Sequence, residues 1–176
     1  VFSNQLLNLI NELDLNKIHL IGFSMGALIA RHFASKHSNR LLSLIILGSI
    51  YKRDEKQKRV VLNRFNVSKF NRPGSKHAAL RRWLTENFIK KNPDIYKKIY
   101  QILDKNNLKN FLSSYDLFVN YIDDDAMIKK IDVSTLIATG EHDVGSTPEM
   151  SKNLSKMIQG SKYVEIKGGK HLCSIE

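Results

Sequence analysis

Short apolar runs and longer stretches with helical spacing alternate at both ends of the chain. Four runs of mostly apolar or β-branched residues predict strands, at residues 18–21, 42–47, 135–139 and 163–166. Apolar residues at helical spacing precede the first run, and another helix is predicted over residues 148–158. Because strands alternate with helices, the pattern predicts an α/β fold with a mostly parallel sheet and helices on both faces.

The middle of the chain departs from this alternation. Between the second and third predicted strands the pattern is helical throughout, over residues 76–90, from Asn92-Pro93 onward and over residues 107–121. An all-helical insertion between two strands of a parallel sheet predicts a cap over an active site. We therefore expect a helical cap at residues 51–130 and a core made of residues 1–50 and 131–176.

The turn after the first predicted strand reads Gly22-Phe23-Ser24-Met25-Gly26. A serine at this place would occupy a sharp strand-to-helix bend, with its hydroxyl clear of the sheet. We predict that a side chain at position 22 or 26 would collide with the backbone packed around the bend. The pattern G-x-S-x-G recurs by chance, but its place between a strand and a helix predicts a nucleophile elbow.

Two further residues follow strand ends in the order that this fold requires. Asp143 lies just past the third predicted strand, and His171 lies in the loop after the fourth. A serine hydroxyl needs a neutral imidazole to take its proton, and a carboxylate to orient that imidazole. The chain order Ser24, Asp143, His171 therefore predicts a catalytic triad, with the backbone N–H of Met25 as a donor to the oxyanion.

Other side chains compete for these roles. Glu141 is the alternative acid, although it lies nearer the end of its strand. The other histidines are expected at structural positions: His19 in the core or half-buried in a strand, His32 and His37 on the helix after the elbow, His77 in a basic loop and His142 beside the acid. Cys173 is the single cysteine, and we predict a buried, unreactive thiol.

Beyond the elbow, the chain resembles an α/β-hydrolase. The segment Arg82-Trp83-Leu84-Thr85 is similar to the cap of the 3-oxoadipate enol-lactonase-like group, and residues 139–150 and 171–176 are similar to its acid and histidine segments. The resemblance implies a serine hydrolase that cleaves a small carboxylic ester or lactone through an acyl-enzyme, without a metal or organic cofactor. It also implies that the first strands and the second oxyanion donor lie outside this sequence, so we expect a fragment.

Three other functions agree with the same residues. A carbon–carbon bond hydrolase of β-diketone-like acids would use the same triad and cap. A cofactor-free perhydrolase would share the elbow. A catalytically incomplete hydrolase-fold chain would bind a ligand without turning it over.

Charge is concentrated in the predicted cap. Residues 51–130 hold 19 Lys and Arg against 9 Asp and Glu, in a chain of net charge +11. Because no nucleic-acid motif accompanies this charge, we expect no nucleic-acid partner. One interpretation of this charge is that the outer face of the cap is solvated. The functional interpretation is that the cap attracts an anionic substrate, with Arg81, Arg82 and Trp83 as candidate substrate-binding residues.

The sequence shows neither a membrane-spanning pattern nor a signal-peptide pattern. No apolar stretch approaches the roughly 18 residues that span a bilayer, and no signal-peptide pattern is present. A lone cysteine gives no sign of an oxidising compartment. These features predict a cytoplasmic protein with no membrane partner.

Overall fold

Four parallel strands form one sheet in which sequence order and spatial order agree. They are β1 (Ile18–Phe23), β2 (Leu41–Leu47), β3 (Thr135–Gly140) and β4 (Lys162–Ile166). The computed structural model describes every residue from Val1 to Glu176. All four predicted strands are present, because short apolar runs bounded by turn residues are a strong local signal.

Nine α-helices accompany the sheet, and six of them lie between β2 and β3. They are α1 (Phe2–Glu12), α2 (Met25–His37), α3 (Glu55–Phe70), α4 (Arg72–Trp83), α5 (Glu86–Lys91), α6 (Pro93–Asp104), α7 (Leu108–Val119), α8 (Asp125–Ile128) and α9 (Pro148–Met157). A 3₁₀ helix spans Ser38–Arg40. No helix combines the length and the apolar character that crossing a lipid bilayer requires.

The helices pack on the sheet through one continuous core. Leu44, Ile46 and Ile137 point from the strands into a cluster of 17 buried residues that also holds the apolar faces of α1, α2 and α9. Alternate strand residues point the other way, and there Ile21 is 65% exposed and Leu42 is 51% exposed. Within residues 1–176, α1, α2 and α9 pack on the same face of the sheet.

The helical segment between β2 and β3 is more finely divided than its pattern indicated. Residues 76–90, whose pattern was helical throughout, are split between α4 and α5 at Leu84, which has an extended backbone with φ −122° and ψ 145°. The hydroxyl of Thr85 then accepts a hydrogen bond from the N–H of Phe88 and caps α5. Leu84 is fully buried, so the apolar spacing continues through the break.

A buried ion pair joins the two ends of this segment to the core. Arg31 on α2 lies 2.9 Å from Asp123, and both side chains are almost fully buried. The second oxygen of Asp123 accepts a hydrogen bond from the backbone N–H of Lys52 at 2.7 Å. Asp123 therefore ties the entry and the exit of the helical segment to the helix that follows β1.

Candidate active site

Ser24 lies between the end of β1 and the start of α2, in a strained backbone conformation. Its φ is 54° and its ψ is −117°, a region that residues other than glycine rarely occupy outside functional sites. The N–H of Ser24 donates to the carbonyl of Leu47 at 2.9 Å. The turn is therefore anchored on the end of the neighbouring strand β2.

The two glycines of this turn have different surroundings. A Cβ at Gly22 would lie 2.6 Å from the Cβ of Ala30 and 2.6 Å from the carbonyl oxygen of Gly26. That close approach lets α2 pack directly against β1, as predicted. The same prediction for Gly26 was wrong, since no atom lies within 4 Å of a Cβ built there. Gly26 is on the open side of the first turn of α2.

Three predicted residues from distant parts of the sequence meet at this turn. The Nε2 of His171 lies 2.9 Å from the Oγ of Ser24, and its Nδ1 lies 2.5 Å from Oδ2 of Asp143. Both distances are hydrogen-bond distances. The serine hydroxyl, the imidazole and the carboxylate thus form one chain of hydrogen bonds.

The carboxylate of Asp143 is buried and held by the backbone of its own loop. Its Oδ1 accepts hydrogen bonds from the N–H groups of Gly145 at 2.8 Å and Ser146 at 2.9 Å. The residue is only 3% exposed. Because one oxygen is occupied by the loop, the other is fixed in the direction of His171.

The loop of His171 approaches the end of β3 very closely. A Cβ at Gly140 would lie 2.1 Å from the carbonyl oxygen of Lys170 and 2.5 Å from that of Gly169. The N–H of His142 donates to the carbonyl of Gly169 at 2.8 Å. Only glycine leaves room for this contact, which sets the imidazole opposite Ser24.

Glu141, the alternative acid, has partners away from the imidazole. Its carboxylate accepts a hydrogen bond from the N–H of Gly168 at 2.9 Å and lies 3.4 Å from the ammonium of Lys167. The Gly168 hydrogen bond, with a smaller contribution from Lys167, holds the pKa of Glu141 below its ordinary value. Glu141 therefore braces the histidine loop.

The remaining histidines lie outside this arrangement. His19 was expected in the core or half-buried, but it is exposed on β1 and bonds Ser43 at 2.7 Å. The others contact structural partners or face solvent: His32 bonds Ser3, His77 bonds Tyr96, His37 packs at a tilt against Phe33, and His142 is exposed. Cys173 is half-buried, and burial raises the pKa of its thiol.

Aromatic rings and a glycine enclose the imidazole of His171. The ring of Phe23 lies 4.9 Å from it and the ring of Trp83 lies 6.1 Å from it, measured between centroids. Gly48 has φ +58°, and a Cβ there would lie 3.3 Å from Cε1 of His171. His171 is 8% exposed as a result, so its imidazole is held in place by these neighbours.

A cavity of about 680 Å³ opens from this hydrogen-bonded chain into the helical segment. Ser24, Met25 and His171 lie at one end of it, and α3, α4 and α7 supply most of the wall. Trp83 and Arg82 line the cavity. Arg81 does not, because its side chain is on the exposed side of α4.

The cavity wall also carries cations that the sequence analysis did not single out. They are Arg53, Lys56, Arg64, Arg72 and Lys76. The sequence holds one usable signal for them: Gln57, Val60, Arg64 and Val67 recur at helical spacing on the face of α3 that lines the cavity. Polar and apolar residues are mixed on that face, so an apolar periodicity does not reveal it.

The sequence profile of the alpha/beta hydrolase fold family matches residues 1–176, which is the whole chain. The chain belongs to this family. The elbow, the parallel sheet and the order of Ser24, Asp143 and His171 agree with that membership.

Several known proteins resemble the chain over nearly all its length. An (E)-2-((N-methylformamido)methylene)succinate hydrolase from Acinetobacter baylyi is 23% identical over 99% of this chain and 65% of its own. The enol-lactonase of Burkholderia xenovorans superposes with a TM-score of 0.88 at 22% identity, over 98% of this chain and 65% of the enzyme. A thermophilic esterase from Thermogutta terrifontis, solved with malate bound, gives 0.84 at 25% identity, over 99% and 65%.

The chain thus spans 65% of the length of each of these relatives. The likeness to the solved structures extends through the sheet and the helical segment alike, since 98–99% of the chain is covered. No group of three or more His, Cys, Asp or Glu side chains in the chain is placed to hold a metal ion.

Proposed function

We propose that this chain carries the catalytic residues of a serine hydrolase that cleaves a small carboxylic ester or lactone. The observation that carries the proposal is the hydrogen-bonded chain from Ser24 through His171 to Asp143, with distances of 2.9 Å and 2.5 Å. The strained backbone of Ser24 supports it, because such strain concentrates at reactive residues. The printed names of an enol-lactonase and an esterase among the similar structures agree with it.

The geometry suggests a two-step reaction. Ser24 Oγ attacks the carbonyl carbon while Nε2 of His171 takes the hydroxyl proton, and His171 then gives that proton to the leaving oxygen. Asp143 keeps Nδ1 protonated and stabilises the imidazolium. In the second step a water loses its proton to His171, attacks the acyl-enzyme and releases the acid and free Ser24.

One donor to the developing oxyanion lies within the chain. Met25 is the first residue of α2, so its N–H has no acceptor within the helix. It lines the cavity beside Ser24. We propose that this N–H stabilises the tetrahedral intermediate, with the positive end of the α2 dipole behind it.

Residues 51–130 would act as the cap that binds the substrate. Trp83 lies beside the imidazole and Arg82 lines the cavity further along, which supports both as substrate-binding residues. The basic wall favours an anionic substrate. The succinate in the printed name of the Acinetobacter relative agrees with a carboxylate-bearing one.

Steady-state hydrolysis tests this proposal. Nitrophenyl esters and a small enol lactone should be turned over by the wild-type chain, and Ser24→Ala and His171→Ala should each lose activity by about 10⁴-fold or more. His142→Ala is the matched control, because that side chain is exposed, and it should keep wild-type rates.

The same assay separates the alternative reactions. Cleavage of a β-diketone-like acid faster than any ester would assign a carbon–carbon bond hydrolase. Peroxide-dependent oxidation in acetate would assign a perhydrolase. Retained ester hydrolysis in Ser24→Ala would contradict the proposed nucleophile.

A further inference from the structure

Three arginines meet in the cavity wall beyond the serine. Arg53 lies just before α3, Arg64 lies on α3 and Arg82 lies on α4, and all three line the cavity that reaches Ser24. Seven ion pairs are present in the chain, and none of them includes any of these three side chains. Guanidinium groups gathered without carboxylate partners are typical of a site for an anion.

Arg53 is fixed in place by main-chain acceptors rather than by an acid. Its Nη1 donates to the carbonyls of Phe118 at 3.0 Å and Val119 at 3.2 Å. Its guanidinium lies 4.2 Å from the centroid of the Phe118 ring. Its Nη2 is buried and has no hydrogen-bond partner, and burial lowers the pKa of Arg53 to about 10. One buried donor of Arg53 thus remains to be satisfied.

Arg64 and Arg82 line the same cavity as Tyr115, and so does Arg53. Burial, together with the charge of Arg64, lowers the pKa of Arg82. Burial raises the pKa of the Tyr115 phenol, while Arg82, Arg64 and Arg53 act in the opposite direction. All three arginines and Tyr115 thus belong to one cavity wall.

The two acids that line the cavity, Asp54 and Asp143, have other partners, and so has Asp123. Asp123 is bonded to Arg31 and to the N–H of Lys52. Asp54 caps α3 through the N–H of Gln57. Asp143 is bonded to His171.

We propose that Arg53, Arg64 and Arg82 bind a carboxylate of the substrate, remote from the carbonyl that Ser24 attacks, with the Tyr115 hydroxyl as a further donor. The planar fork of guanidinium matches a carboxylate in two-pronged hydrogen bonds. Apolar residues of α3 and α7, such as Val61 and Phe118, line the cavity as well. The ligand class is therefore a short hydrocarbon acyl compound that carries a terminal carboxylate.

This inference rests on the proposed function for the reacting end of the molecule, but binding tests it without turnover. Trp83 is the only tryptophan of the chain and lines the cavity, so its fluorescence reports on ligands. Ser24→Ala should bind adipate and hexanoate, and should bind the neutral hexanamide about tenfold more weakly or not at all. Raising the salt concentration should weaken hexanoate binding and leave that of hexanamide unchanged.

Variants locate the carboxylate. Arg64→Gln and Arg82→Gln, each made in the Ser24→Ala chain, should weaken hexanoate binding by about tenfold. Arg59→Gln is the matched control, because Arg59 is on the same helix α3 but exposed and outside the cavity. It should bind hexanoate within about twofold of the parent, because an exposed charge outside the cavity contributes little to binding. Equal binding by hexanoate and hexanamide, or equal losses in Arg59→Gln and Arg64→Gln, would overturn the proposal.

Turnover distinguishes failure of this inference from failure of the proposed function. The wild-type chain should hydrolyse the mono-nitrophenyl ester of adipic acid with a lower KM than nitrophenyl hexanoate. If hydrolysis depends on Ser24 but shows neither that preference nor carboxylate-selective binding, the arginine site is overturned and the proposed hydrolase function is retained. Carboxylate-selective binding that depends on Arg64 and Arg82, without any hydrolysis, would support the site and overturn the hydrolase. Selective binding of inorganic phosphate in place of carboxylates would overturn the ligand class.

Discussion

The sheet region and the helical segment of residues 51–130 hold their functional side chains in different ways. Around Ser24, Asp143 and His171, the main chain does the positioning, through close glycine contacts and N–H donors that leave no room for adjustment. In the helical segment, α5, α6 and α7 contain no buried residue at all. There, arginine side chains line a cavity of about 680 Å³ between loosely buried helices.

This difference suggests that the sheet region serves catalysis and the helical segment serves substrate selection. A buried main-chain framework fixes distances to within a few tenths of an ångström, which proton transfer requires. Half-exposed helices tolerate substitution of the side chains that select a substrate. We therefore expect changes in the sheet region to abolish catalysis or folding, and changes in the helical segment to alter substrate affinity.

The largest effect should come from Asp143→Asn. The amide keeps the shape of the carboxylate but can no longer accept the Nδ1 proton of His171 in the same way, so the wrong tautomer faces Ser24. The rate of ester hydrolysis should fall about 10⁴-fold with the fold intact. Glu141→Gln in the same assay should stay within about threefold, because its carboxylate contacts Gly168 and Lys167 and not the imidazole, and an amide oxygen can still accept the Gly168 N–H; a larger loss there would make Glu141 the acid.

A large loss of stability should follow from Asp123→Ala, at the junction of the two regions. It leaves the buried guanidinium of Arg31 without its ion-pair partner, which costs about 3–5 kcal/mol. Urea unfolding measures this cost, with Asp132→Ala as the control, since Asp132 is exposed and forms no ion pair. Equal stability of the two variants would show that the segment is not tied to the core by this pair.

Smaller effects on stability, of different sign, are expected from alanine at the two glycines of the elbow. Gly22→Ala should destabilise the chain by about 1–3 kcal/mol, because its Cβ would overlap Ala30 and the main chain of α2. Gly26→Ala should be neutral or stabilising by up to about 1 kcal/mol, since the added methyl group meets nothing and a helical glycine is replaced. Thermal unfolding distinguishes them, and equal losses in both would contradict the described packing of α2.

The smallest effect concerns pH. The pKa of Glu141 is lowered in the folded chain by the Gly168 N–H, so its stabilising contribution is complete above the ordinary glutamate range. It is lost as the pH falls through the lowered folded pKa. The Tm of Glu141→Gln should therefore lie below that of the wild type at neutral pH and approach it in acid. A difference in Tm that is constant across this range would contradict that assignment.

Local signals predicted the sheet region well. All four strands, the family and the residues that meet at Ser24 follow from apolar runs, turn residues and their order along the chain. The wrong predictions in the sheet region concern the environments of two residues, His19 and Gly26. His19 is exposed because strand alternation points it, like Ile21, away from the buried core, and Gly26 is unhindered because nothing packs against that side of the turn.

The cavity was less predictable because its wall is formed by packing between helices. Arg81 and Arg82 are neighbours in sequence, yet only Arg82 lines the cavity, since a helix turns by about 100° per residue. Arg64 on α3 and Arg53 just before it join the cavity because α3 packs against α4 and α7, and an apolar periodicity does not reveal that packing. The break at Leu84 is likewise set by the Thr85 cap, which apolar spacing alone does not reveal.

The central claim is that Ser24 is an activated nucleophile in this chain. Intact-mass analysis after treatment with a fluorophosphonate, beside Ser24→Ala, tests it most directly. We predict a single adduct on the wild-type chain that disappears in the variant. A soluble, folded chain that forms no adduct, or an adduct that persists in Ser24→Ala, would contradict the account.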